Sequence, residues 1–337
     1  MRGHALIRGC VVLSLIVLLA AGLTRAQPKA TNAAPQARVS RADVWFAVEG
    51  KSGQCVASLR PEDVRVLEDG VAQQITSFVA RRDAPRSIAI AIDTSASQSY
   101  LLPAVKRVAQ ALVALLPRPQ TDRVAVVSFS SETVLEQDFT NDAATAQKSI
   151  VKLASVDPNV AAAASILIGK PSPLGATSMY DALWVIGNEV FASAPADSRR
   201  VLILLTDGQD TSSATKKRDS ARRLLESNVV VYAIGVGDEE NFAGVDRDAL
   251  KDLAERTGGR AYFPQKDPEV REVFTEIGQS LGCQNFLTYT PANPDAAKTF
   301  RKLKIEIVNP ELRKQGLRVS HQEAFVPAHT PATPRGK

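Results

Sequence analysis

A chain of 337 residues, 45% hydrophobic and 23% charged, is long enough for two or three domains with ample core burial. Its formal charge of +5 is scattered, with no dense Lys/Arg patch interleaved with aromatics, which excludes a nucleic-acid-binding surface. Its three histidines and three cysteines give no metal-ligand spacing, and His4, His321 and His329 all lie outside the α/β pattern described below.

Residues Met1 to Arg8 form a basic lead, and Cys10 to Leu23 an apolar run that is short for a membrane span. The run fits a secretory h-region, with Thr24 and Ala26 as the small residues at the −3 and −1 cleavage positions. A signal peptide is therefore predicted over 1–26, and with it a secreted or periplasmic location. The alternative is an uncleaved anchor, which would be the chain's only membrane contact. A lipoprotein signal does not fit, because Cys10 precedes the apolar run. Loss of Arg2, Arg8 and Arg25 with the leader lowers the formal charge to +2. It also leaves Cys55 and Cys283, an even pair that suggests a disulfide in an exported chain; two separate buried thiols are the alternative.

Residues 27–38, rich in Pro, Ala and Asn, read as a flexible linker. Residues 39–82 read as β-rich. Val44, Phe46 and Val48 alternate, and Val64, Val66 and Ile75, Ser77 flank Asp69-Gly70, a tight-hairpin signal. Asp83-Ala84-Pro85 marks a boundary.

From 86 to 282 strands and helices alternate. Strands are predicted at Ser87–Ile92, Arg123–Phe129, Arg199–Leu205, Val229–Gly235 and Arg260–Phe263. Helical stripes run through Leu101, Val105, Val108, Leu112 and Leu115, and through Met179, Leu183, Ile186 and Val190. A third runs through Val270, Val273, Phe274, Ile277 and Leu281. Asp267-Pro268 reads as the start of that last helix, and Gly258-Gly259 as the end of the one before. This alternation predicts an α/β fold, a doubly wound and mostly parallel sheet covered on both faces.

Residues 283–326 return to strands at Phe286–Tyr289, around Leu303, Ile305 and Ile307, and from Leu317 to Gln322. Each β-rich flank is too short to bury a sheet alone. They are predicted to pair into one small antiparallel β-domain, with the α/β domain inserted between them. The Pro/Thr-rich tail, 327–337, reads as disordered.

The chemistry-bearing run is Ser87-Ile88-Ala89-Ile90-Ala91-Ile92-Asp93-Thr94-Ser95-Ala96-Ser97. A β-branched strand ends at a carboxylate, followed by hydroxyls at alternate positions. Ligands of open α/β sheets bind beyond the carboxyl ends of the strands. Carboxylate and hydroxyl oxygens are hard donors that suit Mg²⁺ or Mn²⁺ better than zinc or copper.

The Asp93-x-Ser95-x-Ser97 pattern resembles the metal-ion-dependent adhesion site of von Willebrand factor type A domains. Gly175-Ala176-Thr177-Ser178-Met179-Tyr180-Asp181-Ala182-Leu183 resembles that family's second motif, and Val201-Leu202-Ile203-Leu204-Leu205-Thr206-Asp207-Gly208 its third, in the family's order. The resemblance covers about Arg86 to Gly282. It implies direct ligation by Ser95 and Ser97, ligation by Thr177 when a partner is bound, and binding of Asp93 and Asp207 mainly through ordered waters. A cation held by neutral hydroxyls keeps much of its charge, so an acidic side chain of a protein or matrix partner can complete its coordination. The flanks, through Glu62–Gly70 and Thr288-Tyr289-Thr290-Pro291, are similar to those of a secreted, acidobacterial-type group with this domain.

Each residue also has a plain structural reading. Asp93 and Thr177 read as helix caps, Ser95 and Ser97 as loop hydroxyls, and Asp207-Gly208 as a turn. Asp210 is expected in solvent and Asp181 near a helix start. The segment Asp157 to Leu174 is long and apolar for a connection. It reads either as the rim of the metal face or as a helix or insertion packed on the domain.

The function these features predict is metal-dependent binding and not catalysis. One alternative is an envelope scaffold with a stabilising metal. The other, a metal-dependent hydrolase of the haloacid-dehalogenase type, requires a second aspartate where Ser95 stands.

Overall fold

The computed structural model describes residues 41–56, 58–118, 120–169, 172–237, 244–293 and 300–325. The predicted signal peptide (1–26), linker (27–38) and tail (327–337) lie outside the described residues.

The first segment carries β1 (Ala42–Glu49), β2 (Val64–Glu68), β3 (Val71–Gln73) and β4 (Ile75–Ala80). The central segment begins with β5 (Arg86–Asp93), α1 (Leu102–Leu115), β6 (Arg123–Phe129) and β7 (Thr133–Thr140). It continues with α2 (Ala143–Lys152), α3 (Pro158–Ile168), α4 (Met179–Asn188), β8 (Arg199–Thr206) and α5 (Lys217–Glu226). It closes with β9 (Val230–Gly235), α6 (Arg247–Arg256), β10 (Arg260–Tyr262) and α7 (Asp267–Gly282). The last segment holds β11 (Gln284–Tyr289), β12 (Arg301–Ile307), α8 (Pro310–Lys314), β13 (Arg318–His321) and β14 (Ala324–Phe325).

The central sheet has the order β10-β9-β8-β5-β6-β7, parallel except for the β6–β7 pair. All eight residues of β5 are buried. Its two faces differ in size. Ile88, Ile90 and Ile92 pack with Val105, Leu112, Phe274 and Ile277, while Ala89 and Ala91 pack with Met179, Leu183 and Leu224. The large face sets the α1/α7 layer and the small face lets α4 and α5 approach. Each buried isoleucine contributes roughly 1.5–3 kcal/mol. The expected doubly wound α/β architecture is present.

Strands from both ends of the chain form two further four-stranded antiparallel sheets, β13-β1-β11-β4 and β14-β12-β2-β3. Val44, Phe46, Leu287 and Tyr289 of one pack against Val64, Val66, Leu303 and Ile305 of the other. Within this core Tyr289 donates to Glu68 at 2.7 Å, and Glu68 pairs with the fully buried Arg301 at 3.0 Å. The sandwich is tied to the α/β body at several points. The Glu323 amide donates to the Arg256 carbonyl at 2.7 Å, and Cys55 is disulfide-bonded to Cys283 at the end of α7, with Cα atoms 5.0 Å apart. Among the described residues no helix is long and apolar enough to cross a membrane.

Two expectations need correction. Asp69 (φ 51°) and Gly70 (φ 84°) do form a two-residue turn, but its second arm is only Val71–Gln73. Ile75–Ala80 crosses to the other sheet and pairs with β11. Leu115 is 66% exposed, and Val113 and Leu116 fill the core in its place. The edge strand β7 has no counterpart in the sequence reading, because its face pattern is largely exposed.

Candidate metal centre

Three loops meet at the carboxyl edge of the central sheet. The first follows β5. Thr94 is held by its amide (2.8 Å) and hydroxyl (3.1 Å), both donating to the Phe129 carbonyl. Residues Ala96–Gln98 then turn as a short 3-10 segment, folded back over Asp93. One Asp93 carboxylate oxygen accepts from the Ser95 amide at 2.9 Å; the other accepts from the Thr206 hydroxyl at 2.6 Å.

The third loop follows β8, the neighbour of β5. Gly208 has φ +80°, so the chain reverses directly after Asp207. Asp207 Oδ1 accepts from the Gln209 amide at 2.9 Å, and Oδ2 from the Ser97 hydroxyl at 2.8 Å and Gln98 Nε2 at 3.0 Å. The Ser95 and Ser97 hydroxyl oxygens are 3.1 Å apart. The structure thus joins Asp93, Ser95, Ser97 and Asp207 in one polar chain.

Thr177 sits in the second loop and is buried. Its carbonyl accepts from the Thr211 and Ser212 amides at 2.8 and 3.1 Å, and its amide donates to the Thr211 hydroxyl at 2.9 Å. Among the described residues no hydrogen bond joins the Thr177 hydroxyl to the other four. The first and second loops are clasped by the Ala96 amide, which donates to the Gly175 carbonyl at 3.0 Å. The N-cap position of α4 is Ser178, not Thr177, so the simple N-cap reading of Thr177 does not hold.

Burial, and then the neighbouring Asp207 charge, push Asp93 up to about 6 against the partial relief of its hydrogen bonds. Asp93 and Asp207 are 1% and 3% exposed. Among the described residues neither is ion-paired with a lysine or arginine. Two buried carboxylates without a positive partner, ringed by hydroxyls, form a donor set that fits a hard divalent cation.

The family model for the von Willebrand factor type A domain matches residues 87–276. The chain belongs to this family. No curated protein matches its sequence. Its fold is similar to proximal thread matrix protein 1 from the mussel byssus (22% identity, 64% of this chain and 51% of that one, TM-score 0.46). It is also similar to the conserved hypothetical protein BatB from Bacteroides thetaiotaomicron (18%, 58% and 98%, TM-score 0.44). A third is a von Willebrand factor type A protein from Catenulispora acidiphila (18%, 72% and 51%, TM-score 0.45). The chain matches about half the length of the mussel and Catenulispora proteins.

Several residues that build the site of this von Willebrand A domain escaped the sequence reading. Gln98 anchors Asp207 and the Val236 carbonyl (3.2 Å), yet a glutamine in a loop carries no spacing signal. Thr206 lies inside a recognised motif, and its position beside Asp93 follows only from β5–β8 pairing. Asp210 is not a solvent residue: it accepts from the Tyr180 amide at 3.2 Å and the Ser213 hydroxyl at 2.6 Å. Asp181, in the first turn of α4, accepts from the Ala214 and Thr215 amides at 2.9 and 2.7 Å. Both acids brace the loop after β8.

Proposed function

We propose that this protein is an exported, non-catalytic binding module that captures a protein or matrix partner through a divalent cation, Mg²⁺ or Mn²⁺. One observation carries the reading. Asp93 and Asp207 are buried together among the Ser95 and Ser97 hydroxyls, and among the described residues no basic side chain is paired to either.

In this reading Ser95 and Ser97 hold the ion directly, Asp93 and Asp207 hold it mainly through water, and Thr177 joins when the partner arrives. The bound ion supplies a positive charge at the sheet edge that an acidic partner side chain completes. The chain's own groups do the positioning. The Ser95 amide and Thr206 hydroxyl orient Asp93, while Gln98 and the Gln209 amide orient Asp207. Export is supported by the basic lead and apolar run within 1–26.

The test passes the full chain over beads bearing a glutamate-containing peptide, in manganese and in EDTA. Retention should need manganese and should be lost in Asp93→Ala. Undiminished retention in both contradicts the reading. Melting that EDTA lowers while retention is spared would point to a scaffold with a stabilising metal. Phosphatase turnover that vanishes in Asp93→Asn would overturn the non-catalytic assignment.

A further inference from the structure

Strand β13 of one sheet of the sandwich passes into β14 of the other through Gln322 and Glu323. Leu317 and Val319 pack on the sandwich core, and His321 continues their row, opposite the buried Phe46 of β1. An imidazole stands where the alternation calls for an aliphatic side chain. It has a polar task there. β14 pairs with β12 at two positions, Arg301–Phe325 and Lys302–Ala324. Past them, the Leu303 amide donates to the Glu323 carbonyl at 2.8 Å and the Ile305 amide to His321 Nε2 at 3.2 Å. The imidazole caps the edge of β12 where the neighbouring strand gives out. A backbone N–H is a donor, so Nε2 must be unprotonated. The proton of the neutral ring therefore sits on Nδ1, which donates to the Gln322 carbonyl at 2.7 Å.

The same crossover docks on the α/β body. The Glu323 amide donates to the Arg256 carbonyl at 2.7 Å, and the Glu323 carboxylate pairs with the Arg256 guanidinium at 2.7 Å. Gly258, with φ +83°, approaches so closely that an added Cβ would lie 2.6 Å from the His321 carbonyl carbon. The elements around the ring bring few charges to it. β12 carries Lys304, itself paired with Glu306 at 2.6 Å. α6 carries Arg256, which Glu323 and Asp252 neutralise. β1 presents Phe46, the turn before β10 presents the backbone of Gly258, and Arg318 on β13 is exposed. Burial, and then the Lys304 ammonium, hold the imidazole below its ordinary 6.5, against the pull of the Gln322 carbonyl.

We propose that His321 is an acid-operated latch: a proton added to Nε2 sets donor against donor at the Ile305 amide, and the β13–β14 crossover lets go of the β12 edge and of Arg256. The direction follows from linkage. A released imidazole takes up a proton at the ordinary value, while the latched one resists it. The closed state is therefore fully favoured above pH 6.5 and loses ground as pH falls below it. Release uncovers the N–H and C=O groups along the outer edge of β12, which then stand open to another strand. The latch is independent of the cation, because it lies in none of the three loops at the metal centre.

The experiment follows amide hydrogen exchange of the full chain in EDTA at about pH 7.5 and about pH 5, on either side of the histidine range, with rates corrected for intrinsic exchange. Peptides over 301–307 and 318–325 report the latch, and one over 199–206 reports the α/β body. His321→Gln is run alongside, because its side-chain carbonyl can accept from the Ile305 amide and does not titrate. Asp93 titrates in the same window in both proteins, so the difference between them belongs to His321. At the lower pH wild type should lose about tenfold or more of its protection in 301–307 and 318–325, with 199–206 unchanged. His321→Gln should keep its protection. Equal corrected protection of wild type at both pH values overturns the proposal. So does an equal acid loss in His321→Gln, which assigns the response to another group. Magnetic resonance titration of the wild-type ring gives a second reading that needs no variant. The Ile305 amide signal should move with ionisation of the His321 ring, and a ring that ionises at its ordinary value while that signal stays put overturns the latch.

Discussion

The Ser97 hydroxyl donates to the Asp207 carboxylate at 2.8 Å across 110 residues of sequence, tying the loop after β5 to the loop after β8. The contact depends on the sheet order, which sets β5 against β8 in parallel register with Ile92 opposite Leu205. Their ends are thereby level at one edge, and the two acids that follow are brought together.

Asp93→Asn separates the cost of the buried charge from its use. The amide can accept from the Ser95 amide and donate to the Thr206 hydroxyl, so both contacts survive. The metal-free variant should melt no lower than wild type, because a buried charge beside Asp207 has been removed. Its stabilisation by manganese should vanish, whereas wild type at a hundredfold excess over Kd gains about 2.7 kcal/mol. Paired melting curves check both arms.

Gly208→Ala should damage the fold and the site together. Its φ is +80°, and a Cβ would lie 2.9 Å from Leu250 Cγ and 3.1 Å from the Asp246 carbonyl oxygen. A loss of roughly 1–3 kcal/mol is expected from backbone strain and crowding. Weaker manganese uptake should accompany it, since Asp207 directly precedes the turn. Denaturant titration and calorimetry measure the two.

At the opposite edge of the sheet, Asp122 accepts from the Arg86 amide at 2.9 Å, from Arg86 Nε at 2.7 Å and from the Arg118 amide at 2.8 Å. Burial raises the Asp122 pKa, but the hydrogen bonds from Arg118 and Arg86 outweigh it and hold the group below its ordinary 3.8. A depressed acid contributes stability that is complete above the unfolded value and lost as pH falls through the folded one. Wild type should therefore lose this contribution only below about pH 4, and Asp122→Asn should remove that part of the acid transition. Asp122→Ala, which strands Arg86, should cost about 3 kcal/mol or more at neutral pH. Unfolding measured across the pH range tests all three statements.

The Cys55–Cys283 bridge spans 228 residues of sequence, enclosing the whole α/β body between strands of the sandwich. Reduction, or Cys55→Ser with Cys283→Ser, should lower unfolding stability by about 2–5 kcal/mol. Manganese uptake should persist, because the bridge lies in neither loop that carries the acids. Melting with and without reductant shows the effect.

The sequence exposed those parts of the fold in which one physical pattern dominates. β5 and β8 carry continuous β-branched and aliphatic runs, the first ending at Asp93 and the second just before Asp207, and doubly buried strands read this way. The stripe Met179, Leu183, Ile186, Val190 is wholly buried, as helical spacing predicts. What stayed hidden depends on tertiary partners. Val71–Gln73 and Ile75–Ala80 are separated only by Gln74, and only long-range pairing sends them to different sheets. β7 mixes polar and apolar residues because an edge strand meets solvent. At the site, Asp93, Ser95, Ser97 and Asp207 form one hydrogen-bonded chain, but Gln98 and Thr206 gain their roles only from the parallel pairing of β5 and β8.

The most direct measurement is calorimetric titration of the pure full chain with manganese or magnesium chloride, alongside Asp93→Ala. The account predicts saturable uptake of one ion per chain in wild type and none in the variant. Wild-type protein that is folded by its melting curve and still takes up neither ion would contradict it.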